Sequence, residues 1–219
     1  MITGFSQPSE DAFSVLKRLA RKRAAAERCE MCSHELAAEH NHLVEPATHR
    51  LVCACDACAI LFEGHHNANF KRVPRSAIYL PDFQMTDAQW ETLMVPIEMA
   101  FFFKSCPLQR LIALYPSPAG AVESTLPLAT WDDIVKANPV LASMEPDVVA
   151  LLVNRIAVSR GSQRGEYFLA PIDKCYALVG LIRAKWHGLS GGTEVWRDID
   201  QFFAELKKRS AVRQGAAHA

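Results

Sequence analysis

Apolar positions recur along this chain in two rhythms, and each predicts a different element. Residues 171–187 place Ile172, Cys175, Leu178, Val179, Ile182 and Trp186 on one helical stripe, opened by Pro171 and stopped by Gly188. Residues 193–209 do the same with Val195, Ile199, Phe202 and Leu206, and their closing KKR suits the negative end of a helix dipole. A third helix is expected over 9–27, capped by Ser9, with Phe13, Leu16, Leu19 and Ala20 on one face and a solvated basic face opposite. Thr86 with Gln89, and Thr130 with Asp133, read as capping boxes opening two short helices, the second ending at Asn138 before Pro139. Pro146 is expected to start a further helix carrying Val148, Val149, Leu152 and Ile156.

The second rhythm is that of strands. EMAFFFK, RLIALYP, AVESTLPL and EYFLA are short, rich in aromatic and β-branched residues, and punctuated by turns such as SPAG, so a small antiparallel sheet is predicted. Nearer the N-terminus, HNHLVE and THRLVCA flank the turn-forming PAT and predict a hairpin. The expected class is α+β: an N-terminal helix and a small zinc-ribbon or treble-clef-like hairpin module, joined to a larger domain with an antiparallel sheet and several helices. Boundaries follow at 1–28 for the helix, 29–66 for the module, 77–210 for the α+β domain and 211–219 for a disordered tail. The Gly-, Asn- and Pro-containing stretch from 64 to 76 reads as the connection.

Composition narrows the class without naming a chemistry. Half the residues are apolar and 22% are charged, which is globular rather than disordered. Lysine plus arginine balance aspartate plus glutamate at 24 each, so the molecule as a whole has no attraction for nucleic acid or anionic lipid. No apolar run reaches membrane-spanning length and the first residues lack a secretory pattern, so a cytoplasmic protein is expected. In that compartment seven cysteines point to metal binding or reduced thiols rather than disulfides.

Five of those cysteines fall within CEMCSHELAAEHNHLVEPATHRLVCACDAC. Two C-x-x-C pairs, Cys29/Cys32 and Cys55/Cys58, each offer two thiolates from one tight turn. A hairpin between them would bring the four sulfurs around one tetrahedral Zn²⁺ at about 2.3 Å. The segment has few large apolar side chains, so the cation is expected to supply the missing stability. Iron would accept the same four sulfurs and make an electron carrier or iron donor; zinc is preferred because the glycines and aromatics of a rubredoxin knuckle are missing. Cys53 reads as a small buried residue, with a substitute ligand as the other possibility. His40, His42, His65 and His66 read as surface or strand-face histidines around a structural zinc. Beyond the module no catalytic constellation stands out: LSGGTEVW ends one helix and caps the next, Cys106 reads as an exposed thiol, Cys175 as an inert core residue, and Asp173 as a carboxylate suiting a helix start.

Two resemblances add to this. Cysteine pairs enclosing EHNH and followed by GHHNAN resemble the framework of HNH nucleases, which would make His40 or His42 a general base and His66 or Asn67 a metal ligand; the usual Asp-His pair before a proline and the central asparagine are lacking. The combination of RCEMC, EHNHLVEPATHRLVCACDACAILF, AFFFKS, LYPSPAGA, EPDVVALLVNR, PIDKCYALVGLIR and GLSGG resembles an uncharacterised bacterial family encoded in gene clusters of high-affinity uptake nickel–iron hydrogenases. What that resemblance implies is an accessory role with a protein partner, a hydrogenase subunit or maturation factor. It supplies no catalytic residues, and only metal binding carries over, to Cys29, Cys32, Cys55 and Cys58.

Overall fold

A computed structural model describes residues 27–63, 69–124, 128–159 and 164–213. The helix expected over 9–27, His65, His66 and Asn67 thus lie outside the described residues, apart from Glu27. The class is α+β, built on two sheets.

The larger sheet has seven strands. In chain order they are β4 (Ile78–Tyr79), β5 (Met99–Ser105), β6 (Arg110–Ser117), β7 (Gly120–Ser124), β8 (Val149–Asn154), β9 (Glu166–Pro171) and β10 (Ala211–Val212). Spatially they run β10-β4-β9-β8-β5-β6-β7, antiparallel except where β10 joins β4. The expected meander is present: Ser117 faces Gly120 across the SPAG turn, and Phe103 faces Ile112.

Both faces of this sheet are covered, which explains its continuous apolar strands. Phe101, Phe103, Ala150, Leu152 and Phe168 face two long helices, α5 (Ile172–Lys185) and α6 (Gly192–Arg209), through Cys175, Leu178, Ile182, Val195, Ile199 and Phe203. Ala100, Phe102, Leu151, Val153 and Leu169 face the other way, onto Trp90 of α2 (Asp87–Thr92), Trp131 and Ile134 of α3 (Leu128–Ala137), and the 3₁₀ turn Pro139–Ser143. The Thr86–Gln89 capping box forms as expected. In α6 it is Phe203 that is fully buried, with Phe202 and Leu206 packed at the margin.

Three expectations need correction. The helix predicted from Pro146 is strand β8, followed by a single short helical turn, α4 (Ile156–Ser159). A central strand buried on both faces shows no alternation, so VVALLVN imitates a buried helix by periodicity. Helix α3 starts at Leu128, so Thr130 lies inside it rather than at its cap. Beyond residue 210, where fraying was expected, Ala211 and Val212 pair with Ile78 and Tyr79.

The smaller sheet, in the order β2-β1-β3, contains β1 (Asn41–Glu45), β2 (Arg50–Ala54) and β3 (Lys71–Arg72). Strands β1 and β2 are the hairpin around PAT, and helix α1 (Asp56–Phe62) follows at once. Because successive residues face opposite sides, the hairpin has two distinct surfaces. Leu43, Val52 and Ala54 pack against Cys29, Cys58 and Ala59, whereas Val44 and Leu51 belong to the core of the larger sheet.

Candidate metal centre

Four cysteines meet where the first loop, the hairpin and α1 converge. Residues 27–36 form a tight knuckle: Leu36 N–H donates to Glu27 O at 2.8 Å, Cys29 N–H to His34 O at 2.8 Å, and Ser33 N–H to Cys29 O at 2.8 Å. Ser33 takes a left-handed φ of 62° to close it. The knuckle is tied to the end of β2 in both directions. Glu30 N–H donates to Cys53 O at 2.9 Å, and Cys53 N–H donates to Glu30 Oε1 at 2.8 Å. Cys55 is the N-cap of α1, its sulfur accepting from Cys58 N–H at 3.5 Å. The second pair therefore opens a helix, the treble-clef-like form of the two arrangements expected.

One sulfur from each of Cys29, Cys32, Cys55 and Cys58 lies within 4.8 Å of all the others. Cys32 Sγ and Cys55 Sγ are 3.7 Å apart. Four ligands at about 2.3 Å around a tetrahedral ion have edges of about 3.8 Å, so this separation fits a shared cation and is far beyond a disulfide bond. Cys29 and Cys58 are buried, Cys55 is half-buried and Cys32 is exposed. Burial opposes ionisation of Cys29, but backbone hydrogen bonds from Cys55, Cys32 and Met31, with the Cys32 thiol, outweigh it and hold the thiol at about 6. Burial pushes the Cys58 thiol up, helped by the sulfurs of Cys32, Cys55 and Cys29. The Cys29 thiolate forms readily while the Cys58 thiol resists ionisation, which is the electrostatic problem a divalent cation solves.

A second convergence was not foreseen. His42 faces Cys53 across the hairpin, and both lie on the surface turned toward the larger sheet. His40 joins them, its ring centroid 4.7 Å from that of His42 in an edge-on arrangement. One ring nitrogen of each histidine and the Cys53 sulfur are mutually within 4.8 Å. His42 Nδ1 is 3.0 Å from Asp173 Oδ2, in the first turn of α5. Cys53 is half-buried rather than buried, and burial, with the carboxylates of Glu27 and Glu30 and the Cys29 thiol, pushes its thiol up. The signal in the sequence was the turn: a four-residue loop after Glu45 pairs it with Arg50, and the same register sets His42 opposite Cys53. Asp173 lies too far along the chain for any such rule.

Elsewhere the cysteines behave as expected. Cys175 is fully enclosed, and burial pushes its thiol well up. Cys106 is exposed, 3.4 Å from Lys71 Nζ. Gly188 and Gly191 both have left-handed φ, at 65° and 82°, and form the break between α5 and α6.

No curated protein and no solved structure matches the chain. A family profile does match, over residues 28–210, which takes in every cysteine and every strand except β10. On that match, the chain belongs to the Family of unknown function (DUF5947).

Proposed function

We propose that this is a zinc-binding accessory protein of the cytoplasm that docks onto a subunit or maturation factor of a nickel–iron hydrogenase and carries no catalysis of its own. The observation that supports it best is the convergence of the Cys29, Cys32, Cys55 and Cys58 sulfurs to within 4.8 Å of one another, with Cys32 and Cys55 3.7 Å apart, close to a tetrahedral edge. In this reading the four thiolates hold Zn²⁺, and the cation fixes the knuckle, hairpin and α1 relative to one another. The hydrogenase connection rests on the resemblance of the sequence motifs. Docking is supported by Ile60, Leu61 and Phe62 at the end of α1, apolar side chains that stay exposed. Among the described residues no helix is long and apolar enough to cross a membrane.

Co-purification of the native protein with a hydrogenase component from hydrogen-oxidising cells is the expected result. Normal hydrogenase maturation and activity in a clean deletion strain would remove the assignment. Protein purified without oxygen separates the metals: colourless protein with tightly held zinc supports the structural reading. Visible absorption that bleaches on reduction would transfer the four cysteines to iron and electron transfer.

A further inference from the structure

We propose that His40, His42 and Cys53 form a second cation site, separate from the four-cysteine centre, that takes a divalent first-row transition metal through two imidazole nitrogens and one thiolate. The proposal does not depend on what the four cysteines hold.

Both imidazoles are prepared in the same way. A carbonyl and a carboxylate can only accept, so the contacts of His40 Nδ1 with Ala37 O at 3.0 Å and of His42 Nδ1 with Asp173 Oδ2 at 3.0 Å place the proton on Nδ1. Each ring then keeps a lone pair on Nε2. Histidine held by a carbonyl or carboxylate on its far nitrogen is the usual arrangement of a metal ligand, because the partner fixes the tautomer and makes the ring more basic. His40 supplies the independent sign. Its side chain is only 7% exposed, and its Nε2 is buried with no hydrogen-bond partner. A buried acceptor without a donor costs free energy, and a cation removes that cost.

Geometry and charge agree. Ligands at about 2.0–2.3 Å around a tetrahedral ion stand roughly 3.3–3.6 Å apart, so the present spread within 4.8 Å closes by a shift of about 1 Å in side chains. Asp173, Glu27 at 3.6 Å from His40 Nδ1, and Glu30 on the Cys53 amide surround the cluster with negative charge. His40, His42 and Asp173 also line an open cleft of about 390 Å³ between the hairpin and α5. Three protein donors and a cleft leave a coordination position for an outside ligand, unlike the closed four-sulfur centre. Arg75, Lys174 and Arg209 line the same cleft, each already paired with a carboxylate, Asp56, Asp173 and Glu39 respectively. Two nitrogens and a thiolate suit Zn²⁺, Co²⁺ or Ni²⁺ and disfavour Mg²⁺ or Ca²⁺.

The test is metal stoichiometry on the full chain, with zinc and then cobalt as probes. The wild type loaded with Zn²⁺ and dialysed should retain one equivalent more than the His40→Ala/His42→Ala variant. Cys53→Ser should remove one thiolate's share of the cobalt charge-transfer absorption while the four-thiolate spectrum persists. Asp173→Asn, which keeps the ligands, should weaken only the weaker-binding equivalent, by about 10–100-fold. If the double variant misfolds by circular dichroism, Cys53→Ser and Asp173→Asn carry the decision. Equal metal content and an unchanged cobalt spectrum in all folded variants would overturn the proposal. Failure of the four-cysteine reading looks different: the equivalent lost with Cys29→Ser would be missing, and the one lost with His42 would remain.

Discussion

The two sheets of this protein solve the same problem by opposite means. The seven-stranded sheet is enclosed on both faces, with Phe102 stacked on Trp131 at 5.5 Å on one side and Phe168 against Phe203 at 6.1 Å on the other. Among the described residues the cysteine module has a closed core of only Cys29, Leu43, Val52, Ala54, Cys58 and Ala59. The first has enough buried apolar area to hold itself together. The second encloses far less, and two of its six core residues are cysteines whose sulfurs lie within 4.8 Å of those of Cys32 and Cys55. In the proposed reading a cation's cross-link would replace burial only locally, because Val44 and Leu51 anchor the hairpin's other face in the larger core.

The strongest way to break the comparison is to remove a ligand. Cys29→Ser or Cys58→Ser should abolish a cation site whose binding is worth roughly 10–16 kcal/mol, with hydrogen-exchange protection lost over the knuckle and α1. Protection in β5, β8 and α5 should persist, and loss there too would mean that the two regions form one cooperative unit. Acid should mimic the substitution. Metal-bound thiolates must be deprotonated, so the module's stability rises with pH and is lost as protons compete at low pH, before the larger sheet gives way.

Next in size is damage to the larger core. Phe102→Ala removes a fully buried ring and should cost about 3–5 kcal/mol in denaturant unfolding of the sheet domain, with zinc content unchanged. Lys71→Ala tests the seam between the regions. Lys71 of β3 reaches Asp147 at 2.7 Å, and the Asp147 side chain is wholly enclosed, so the variant leaves a buried carboxylate without its counter-ion, held by the Cys106 N–H at 2.9 Å, and should lose about 3 kcal/mol. Lys71→Arg should recover part of it. The smallest effect belongs to Cys175→Ala, where only packing changes and about 1 kcal/mol is expected. A larger loss, or any loss of metal, would mean that this thiol does more than fill space.

What could be read beforehand follows from range. Elements set by neighbours in sequence were legible: the hairpin from PAT, the meander from SPAG, the Thr86–Gln89 cap, and the stripe of Ile172, Cys175, Leu178 and Ile182. The two C-x-x-C pairs announced their own convergence, since thiolates at that spacing have few other uses. Strand β8 was hidden because tertiary burial on both faces erased the alternation that identifies a strand. The His40, His42 and Cys53 cluster was half legible, through the hairpin register, and half not. The Asp173 contact depends on how α5 docks against β1, a packing fact with no local signature.

The pairing of β10 with β4 has a practical side. Ala211 N–H donates to Ala77 O at 3.0 Å and Arg213 N–H to Tyr79 O at 3.1 Å, so two residues close the outer margin of the sheet. Trimming the chain at 210 would uncover those carbonyls and leave a raw edge, inviting strand exchange between molecules. Purification handles are better fused after residue 219 than substituted for residues 211–219.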